Sequence, residues 1–362
     1  MRLNDSLTGS AEQAFITLYQ DFFRLYHSNE QVIIYGTGKN ARQVFSYLQQ
    51  SKLQVVGFCD STAIDGQRQL SGLPVLSAQT ATQQNCMILI ASSWHFEIAE
   101  QLRQLGFNRF MNVSLLAVAR FAPIPNIQDK IDWLCSVLDP ASRSVLSEVC
   151  EAICSDQNYR FSLSNYPQYR HPDFSLSEQA VIVDAGACCG EIFRTFADQL
   201  PQKTFVCFEP DPKNAQHLRQ HQHILAPDAT VYVEEKGLWS NNCTLRFMAA
   251  DVSGASFNCS ISDEGNVEIQ TCALDSYLTE RQLAPDLIKM DIEGAEYEAL
   301  EGARQMIQQS SPLLAICTYH YLDDLWLLAE WIARVDSGYR FSLGHHTSSW
   351  FETVLYAKVQ RS

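Results

Sequence analysis

The sequence has little positive charge and no long apolar run. Its 26 Lys and Arg residues stand against 41 Asp and Glu, which gives a formal net charge of -15. Such a surplus of negative charge repels the phosphates of nucleic acids and anionic lipids. No uninterrupted apolar stretch reaches the roughly 18 residues that a membrane-spanning helix needs. We therefore predict no nucleic-acid partner and no membrane span.

Export signals and paired cysteine motifs are also lacking. Residues 1–27 have neither the basic start nor the small-residue cleavage site of a signal peptide, and we interpret residues 1–30 as an amphipathic docking helix. The twelve cysteines lie mostly in apolar segments and form no two-residue-spaced pairs. We expect reduced thiols in a cytoplasmic protein. Cys150 with Cys154, and the adjacent Cys188 and Cys189, offer too few ligands for a metal site.

Two stretches share one pattern of strand, glycine turn and amphipathic helix. They are QVIIYGTGKNARQVF from residue 31 and AVIVDAGACCGEIF from residue 180. This pattern is typical of doubly wound α/β folds. We predict two Rossmann-like domains, over 31–125 and 179–362, with a helical bridging segment over 126–178. The second sheet is expected to run through ATVYVEEKGLWS and CTLRFMA and to end in an antiparallel hairpin, GYRFSLGHH with WFETVLYAKV.

An aspartate stands at the entrance of the second glycine turn. In VIVDAGACCGE, Asp184 precedes Gly186 by two residues, and Gly190 lies where the helix is predicted to begin. A dinucleotide places its pyrophosphate against such a turn, and a carboxylate there opposes that charge. S-adenosylmethionine carries an ammonium and a sulfonium instead. Glu209, 25 residues further on in FVCFEP, is placed to accept hydrogen bonds from the ribose hydroxyls.

Five motifs follow one another in the second half of the chain: VIVDAGACCGEIFRTFA, FVCFEPDPKN, GLWS, DLIKMDIEGAEYEALEGA and ETVLYA. In this order they resemble the FkbM family of S-adenosylmethionine-dependent methyltransferases, from about residue 130 to the end. The most specific element is KMDIEGAE. Cys188 and Cys189 stand where many relatives have Asn or another polar residue. The resemblance implies a class I methyltransferase sheet and methyl transfer to a hydroxyl oxygen of a sugar, polyketide or related metabolite.

Methyl transfer from a sulfonium requires alignment and removal of the hydroxyl proton. DLIKMDIEGAE places Asp291, Glu293 and Glu296 just past the carboxyl end of a strand, the edge where open sheets bind ligands. We expect Asp291 nearest the methyl donor and Glu293 orienting the acceptor, whereas Glu296 stabilises the first turn of its helix. His320 ends the next strand and is the expected general base.

Two further points concern this predicted site. Asp291, Glu293 and His320 could instead hold a divalent cation that lowers the pKa of the acceptor. Of His345 and His346, at most one lines the acceptor pocket, because successive side chains of a strand point to opposite faces. The expected cofactor-binding residues are Asp184, Gly186, Gly190, Glu209, Pro210, Gly237, Leu238, Trp239 and Asp291.

The first glycine turn, IIYGTGKNA, differs in charge from the second, because it contains a lysine and no acid. No acid precedes Gly36, and Lys39 follows Gly38 within the turn, so the site tolerates phosphate. Asp60 closes VVGFCD and is placed to reach a ribose. Residues 30–115 resemble the nucleotide-binding domains at the front of bacterial sugar-tailoring enzymes. The resemblance implies a nucleotide or nucleotide-sugar there, and the alternative is an empty scaffold used for docking or dimerisation.

The sequence thus predicts an S-adenosylmethionine-dependent O-methyltransferase acting on a sugar, a glycoconjugate precursor or a related metabolite. The expected partner is a small-molecule or glycan acceptor, and a homodimer is left open. Two other functions stay open at this point. One is an NAD-dependent sugar-nucleotide oxidoreductase or epimerase that works through residues 31–125. The other is a noncatalytic scaffold that binds nucleotide sugars.

Overall fold

The chain divides into two compact units in the computed structural model. The structure describes residues 9–155, 159–196, 202–248, 260–261 and 267–360. The first unit comprises the chain up to residue 136 with 146–160 and 321–323, and the second comprises 137–145, 161–320 and the chain from 324. The bridging segment predicted over 126–178 contributes residues to both units.

A six-stranded sheet organises the first unit. Its elements are α1 (Ser10–Tyr26), β1 (Gln31–Tyr35), α2 (Lys39–Leu48), β2 (Gln54–Cys59), β3 (Gln69–Leu70), β4 (Leu73–Leu76), α3 (Ala78–Gln83), β5 (Met87–Ile90), α4 (His95–Gln104) and β6 (Phe110–Asn112). The strand order is β3-β4-β2-β1-β5-β6, and only the β3–β4 pair is antiparallel. The strands predicted in GLPVLS, NCMILIAS and NRFMNV, and the helix between the last two, are confirmed.

The core of the first unit includes its N-terminal helix. Apolar side chains of β1 and β5 pack against α4, which buries Ile98, Ala99 and Leu102. Helix α1 buries Phe15 and Phe22 completely, and each such side chain contributes about 1.5–3 kcal/mol by leaving water. Within the described residues, α1 is therefore part of the unit's core and not a free docking arm. Residues 1–8 of the predicted docking helix lie outside the described residues.

The predicted bridging segment is helical only in its first half. Helices α5 (Ile127–Val137) and α6 (Pro140–Cys154) are present, and the described residues between 159 and 178 form neither helix nor strand. Proline and aromatic residues are frequent in this irregular stretch, YRFSLSNYPQYRHPDF. A proline removes a backbone donor and restricts the residue before it, which prevents a regular helix.

The second unit contains the remaining elements. They are β7 (Val181–Ala185), α7 (Glu191–Thr195), β8 (Thr204–Phe208), α8 (Pro212–Leu225), β9 (Thr230–Glu234), β10 (Gly237–Leu238), β11 (Thr244–Met248), β12 (Ser260–Ile261), β13 (Val267–Cys272), α9 (Leu274–Arg281), β14 (Leu287–Met290), α10 (Glu296–Glu301), α11 (Arg304–Ser310), β15 (Leu313–Cys317), α12 (Asp324–Val335), β16 (Tyr339–His345) and β17 (Thr353–Val359).

Seven of these strands form one sheet in the order β16-β17-β15-β14-β7-β8-β9. The five strands from β15 to β9 are parallel, whereas β17 is antiparallel to both β15 and β16. The chain runs outward from β7 to β9 and then crosses to β14 on the other side of β7. This reversal makes the carboxyl ends of β7 and β14 a switch point, where open sheets bind ligands. The predicted α/β class with mainly parallel sheets is confirmed.

Part of the predicted second sheet is separate. Strands β10 and β11 belong to a four-stranded sheet in the order β10-β13-β11-β12. In β11, Thr244 and Arg246 are exposed while Leu245 is half-buried. Such alternation suits an antiparallel sheet with one solvated face, whereas β7, β8 and β14 of the large sheet are buried along almost their whole length. The expectation that GLWS and CTLRFMA continue the large sheet is therefore wrong.

No helix in the described part of the chain is long and apolar enough to cross a membrane.

Candidate active site

Three acidic residues stand at the carboxyl edge of the seven-stranded sheet. Asp184 is the fourth residue of β7, Glu209 directly follows β8, and Asp291 directly follows β14. The last residues of these adjacent strands lie opposite one another in register. The fold therefore brings the three predicted acids to one edge at the switch point.

Asp184 is neutralised by a lysine from the neighbouring strand. The Nζ atom of Lys289 lies 2.9 Å from Oδ1 of Asp184, and both side chains are almost fully buried. Burial alone would lower the pKa of Lys289, but the carboxylates of Asp184 and Asp291 outweigh it and raise that pKa. The lysine also donates to the carbonyl of Gly186. Asp184 therefore does not present an uncompensated charge, and its carboxylate does not by itself exclude a pyrophosphate.

The glycine turn packs directly against the end of β14. Gly186 has a φ of +75°, and a Cβ atom there would lie 1.9 Å from the carbonyl oxygen of Asp291. Gly190 has a φ of +85° and precedes α7, where a Cβ would meet the ring of Phe193 at 2.8 Å. Both predicted glycines are thus required by conformation and close packing.

The amides of this turn are already engaged. Those of Gly186, Ala187, Cys188 and Gly190 donate hydrogen bonds of 2.7–3.1 Å to protein acceptors. A pyrophosphate binds such a turn through free backbone amides. These four donors are occupied, so the turn is poorly suited to a dinucleotide. The sequence favours a cofactor without phosphate because of the charge of Asp184. The structure supports the same preference for another reason, which is that the amides of the turn already donate hydrogen bonds within the protein.

Glu209 connects the turn to the end of β8. Its Oε2 accepts a hydrogen bond from the amide of Cys188 at 2.7 Å, and its Oε1 accepts one from the amide of Asp211 at 2.8 Å. Burial raises the pKa of Glu209, although the two amides act against this. A carboxylate has about four acceptor positions. Two remain at Glu209, which suits the two hydroxyls of a ribose.

Asp291 is held by two phenol groups. Tyr169 donates to Oδ2 at 3.0 Å and Tyr319 donates to Oδ1 at 2.9 Å. Burial would raise the pKa of Asp291, but Lys289, His320 and the two phenols lower it below its usual value. The carboxylate is therefore negatively charged at neutral pH and fixed in orientation.

His320 lies among three carboxylates. Its Nδ1 is 3.1 Å from Oε1 of Glu296, and its Nε2 is 3.6 Å from Oδ1 of Asp291 and 3.5 Å from Oε2 of Glu293. Burial alone would lower the pKa of His320, but Glu296 first and then the other two acids raise it to about 10. An imidazole that keeps its proton at neutral pH does not accept another. The structure therefore argues against His320 as the general base.

Glu293 and Glu296 occupy different environments. Glu293 adopts the left-handed region, with a φ of +58°, and its side chain is 35% exposed. Such a conformation costs a non-glycine residue about 1–3 kcal/mol and is concentrated at functional sites. Glu296 is fully buried, and its Oε1 accepts a hydrogen bond from the amide of Ile292 at 2.9 Å. Of the two, Glu293 is the one that solvent and ligands reach.

Two groups of potential metal ligands among the described residues share Asp291. One adds Glu296 and His320, the other adds Cys317 and Glu352, and the ligand atoms of each lie within 4.8 Å. Histidine coordinates a metal through an unprotonated nitrogen. Here both ring nitrogens face carboxylates and the pKa of the ring is raised. With the imidazole protonated, the ligand atoms of the first group form ion pairs with one another.

This arrangement is matched by a known domain family. Residues 184–341 match the domain described as "Methyltransferase FkbM domain". The C-terminal region of the chain is an FkbM methyltransferase domain. Residues 28–110 match a second family, described as "C2185-like, N-terminal". The predicted family resemblance is thus confirmed, and the FkbM domain contains Asp184, Glu209, Asp291 and His320.

Known proteins that resemble the chain include a 2-O-methyltransferase and a methyltransferase of known structure. The 2-O-methyltransferase NoeI of Sinorhizobium fredii is 25% identical over 148 residues, which cover 36% of this chain and 60% of that protein. The crystal structure of methyltransferase FkbM from Methylobacillus flagellatus KT aligns over 98% of this chain and 100% of its own, with a TM-score of 0.59 and 20% identity. The match to the curated relative thus spans about 60% of its length, and the likeness to the crystal structure concerns the fold.

The other predicted cofactor residues of the FkbM domain lie in two places. Pro210 sits between Glu209 and the start of α8. Gly237 and Leu238 form β10, which pairs with β13 in the smaller sheet. The amide of Trp239 donates to the carbonyl of Cys272, and its own carbonyl packs against Gly302, where a Cβ would lie 2.1 Å away. Backbone contacts therefore fix the GLWS segment firmly.

The two histidines of the terminal hairpin differ. His345 is buried, stacks on Phe161 and uses both ring nitrogens, towards Oγ1 of Thr353 and the carbonyl of Ser349. Its role is structural. Burial lowers the pKa of His346 to about 4, and its Nε2 contacts the hydroxyl of Tyr356. His346 is therefore a neutral ring at physiological pH.

Sequence reasoning missed three residues of the site. Lys289, the partner of Asp184, stands within the KMDIEGAE motif and could have been noticed as a charge inside an apolar strand. Tyr319 directly precedes His320. Tyr169 is 122 residues away from Asp291, and no local pattern connects them.

The charge on His320 has a measurable effect on stability. Its pKa in the folded protein, about 10, lies above the ordinary histidine value of 6.5, so its contribution is complete below about pH 6.5 and is lost as pH rises through 10. Relative to His320→Gln, we expect the wild-type free energy of unfolding to fall by up to about 1.4 kcal/mol per pH unit between pH 7 and 9. Urea unfolding of both proteins measures this. Parallel pH profiles of the two proteins would contradict this expectation. His217→Gln, at an exposed position of α8, is the control.

Proposed function

We propose that the second unit transfers a methyl group from S-adenosylmethionine to a hydroxyl oxygen of a carbohydrate or related small molecule. The proposal rests on the position of Glu209 and Asp291 beside a glycine turn whose amides already donate hydrogen bonds within the protein. The activity in the name of the relative NoeI, 2-O-methyl transfer, supports oxygen as the accepting atom. The catalytic region in this proposal extends the predicted domain, residues 179–362, back to about residue 161, because Tyr169 holds Asp291.

The donor set fits the cofactor group by group. Glu209 has two free acceptor positions for vicinal ribose hydroxyls. Asp291 is a fixed carboxylate suited to the ammonium of the methionine part. The glycine turn lets the backbone come close to the ligand while offering few donors to a phosphate. Of these three features, only Glu209 suits NAD, through the ribose hydroxyls of that cofactor.

S-adenosylmethionine supplies an electrophilic methyl group, so the protein's tasks are alignment and proton removal. Glu293 is the exposed carboxylate of the cluster and is assigned to accept the acceptor's hydroxyl proton. His320, as an imidazolium, holds Glu293 and Asp291 in place and offsets their mutual repulsion. The strained backbone of Glu293 is kept because the surrounding cluster fixes it. No step of this assignment requires a divalent cation.

Glu209→Gln is expected to weaken S-adenosylmethionine binding by about tenfold to a hundredfold. The glutamine amide cannot accept every hydrogen bond that the carboxylate accepts, and a bond to a charged group contributes about 1.5–3 kcal/mol. Isothermal titration calorimetry of the full chain measures the affinity. Glu178→Gln, at an exposed position, is the matched control and should bind as the wild type does.

Two results would overturn the assignment. One is binding of NAD by the wild type without binding of S-adenosylmethionine. The other is equal affinity for S-adenosylmethionine in Glu209→Gln and Glu178→Gln. Unchanged circular dichroism of both variants ensures that a lost affinity is not lost folding.

A further inference from the structure

The first unit has a ligand-sized cavity at the carboxyl edge of its own sheet. Its volume is about 670 Å³, and it is lined by the ends of β1, β2 and β5 and by the first turns of α2 and α4. The chain runs outward from β1 to β2 and β4 and then crosses to β5 on the other side of β1. The cavity therefore lies at a switch point, and its volume falls within the range of small-molecule sites.

The turn at the bottom of this cavity keeps its amides free. Gly36 has a φ of +135°, and a Cβ there would lie 2.6 Å from the carbonyl oxygen of Ala91, so the turn is held tightly against β5. Within the described ranges, the amides of residues 37–40 donate no hydrogen bond to the protein. Gly38, the N-cap of α2, provides no side-chain cap. This is the reverse of the turn after β7, whose amides are bonded.

The charged residues of the cavity lining are Lys39 and the carboxylates of Asp60 and Glu97, and the cation is the one that lies at the free amides. The first turn of α2 contains no acid, and the positive end of a helix dipole adds to the effect. Lys39 lines the cavity and is exposed, and it forms no ion pair with any residue in the described part of the chain. A phosphate placed here would accept hydrogen bonds from several amides and pair with the Lys39 ammonium.

Two side chains, Asp60 and Trp94, line the cavity on the two sides of the turn. Asp60 follows β2, and its carboxylate accepts hydrogen bonds from Oγ1 of Thr37 at 2.7 Å and from the amide and hydroxyl of Thr62. This leaves about one acceptor position for a ligand hydroxyl, fewer than the sequence suggested. Trp94, on the β5 side, is 66% exposed and presents an aromatic face for a planar ring.

We propose that this cavity binds a nucleoside diphosphate, free or as its sugar ester. The diphosphate lies on the amides of residues 37–40 beside Lys39, a hydroxyl reaches Asp60, and a ring of the ligand packs on Trp94. The proposed site lies in the first unit, and nucleotide binding there does not depend on the methyl-transfer proposal for the second unit.

The test is calorimetric titration of the full chain with UDP and ADP, in the presence of saturating S-adenosylhomocysteine to exclude adenine binding at the other site. Gly38→Asp should weaken binding at least tenfold, because its carboxylate covers the free amides. A Cβ at residue 38 meets no atom within 4 Å, and aspartate is a favoured N-cap, so the melting temperature should not fall. Gly38→Ala is the matched control and should bind as the wild type does.

Two further variants locate the parts of the ligand. Lys39→Ala should lower the affinity for UDP about tenfold, whereas Lys52→Ala, at an exposed lysine of the same unit, should not. Trp94→Ala should weaken UDP binding and leave pyrophosphate binding unchanged. No binding of either nucleotide at millimolar concentration, equal affinity in Gly38→Asp and Gly38→Ala, or equal affinity of the wild type for pyrophosphate and UDP would each overturn the proposal.

Discussion

Lys289→Met is expected to lower the free energy of unfolding by about 3–5 kcal/mol. The substitution removes the only charge within 3 Å of the Asp184 carboxylate that the described residues provide, and it leaves a buried anion without its counter-ion. It also removes the donor to the carbonyls of Ala185 and Gly186. Urea unfolding followed by tryptophan fluorescence measures the change.

A double variant separates the loss of a charge pair from a loss of packing. Lys289→Met combined with Asp184→Asn removes both charges, and we expect it to recover most of the stability, since neutral replacements of buried pairs are often tolerated. Lys213→Met, at an exposed position of α8, is expected to stay within about 0.5 kcal/mol of the wild type. A loss below about 1 kcal/mol in Lys289→Met would show that the pair is not a determinant of stability.

Gly186→Ala is expected to cost about 4 kcal/mol or more, because two penalties combine. The residue has a φ of +75°, and the new Cβ would lie 1.9 Å from the carbonyl of Asp291. The backbone of β7 or of the Asp291 loop has to move, so S-adenosylmethionine binding should be lost together with stability. Thermal unfolding and calorimetry of the same preparation measure both effects.

Gly72→Ala isolates the conformational penalty. Gly72 has a φ of +78°, and a Cβ there meets no atom within 4 Å. We expect a cost of about 1 kcal/mol for the left-handed backbone alone. If the two alanine variants were equally stable, the close approach of the turn to Asp291 would not be the cause of the larger loss.

Local patterns in the sequence were sufficient for much of the fold and for the position of the site. The apolar runs that form β1, β7 and β8 have strand length and end in a glycine turn or an acid, so each element and its functional edge could be predicted. The FkbM resemblance was carried by motifs that lie at that edge. The N-terminal helix was also predicted, but its role in the core depends on tertiary packing.

The charges within the site could not be predicted in the same way. The pairing of Asp184 with Lys289 follows from the register of β7 with β14, in which these residues lie opposite each other. The protonation of His320 depends on three carboxylates at 3.1–3.6 Å, one of which belongs to a loop with a left-handed residue. A sequence shows that such groups are present, but their pKa values follow from distances of a few ångströms.

Tyr169 has a consequence for engineering. Its hydroxyl donates to Asp291 and its amide donates to the hydroxyl of Tyr356, yet it precedes the first residue of the matched domain, 184, by fifteen positions. A shortened protein or a chimera whose junction follows the family boundary would discard this tether and leave the carboxylate with one phenol. Any graft of the FkbM domain should therefore carry the irregular stretch from about residue 161 onward.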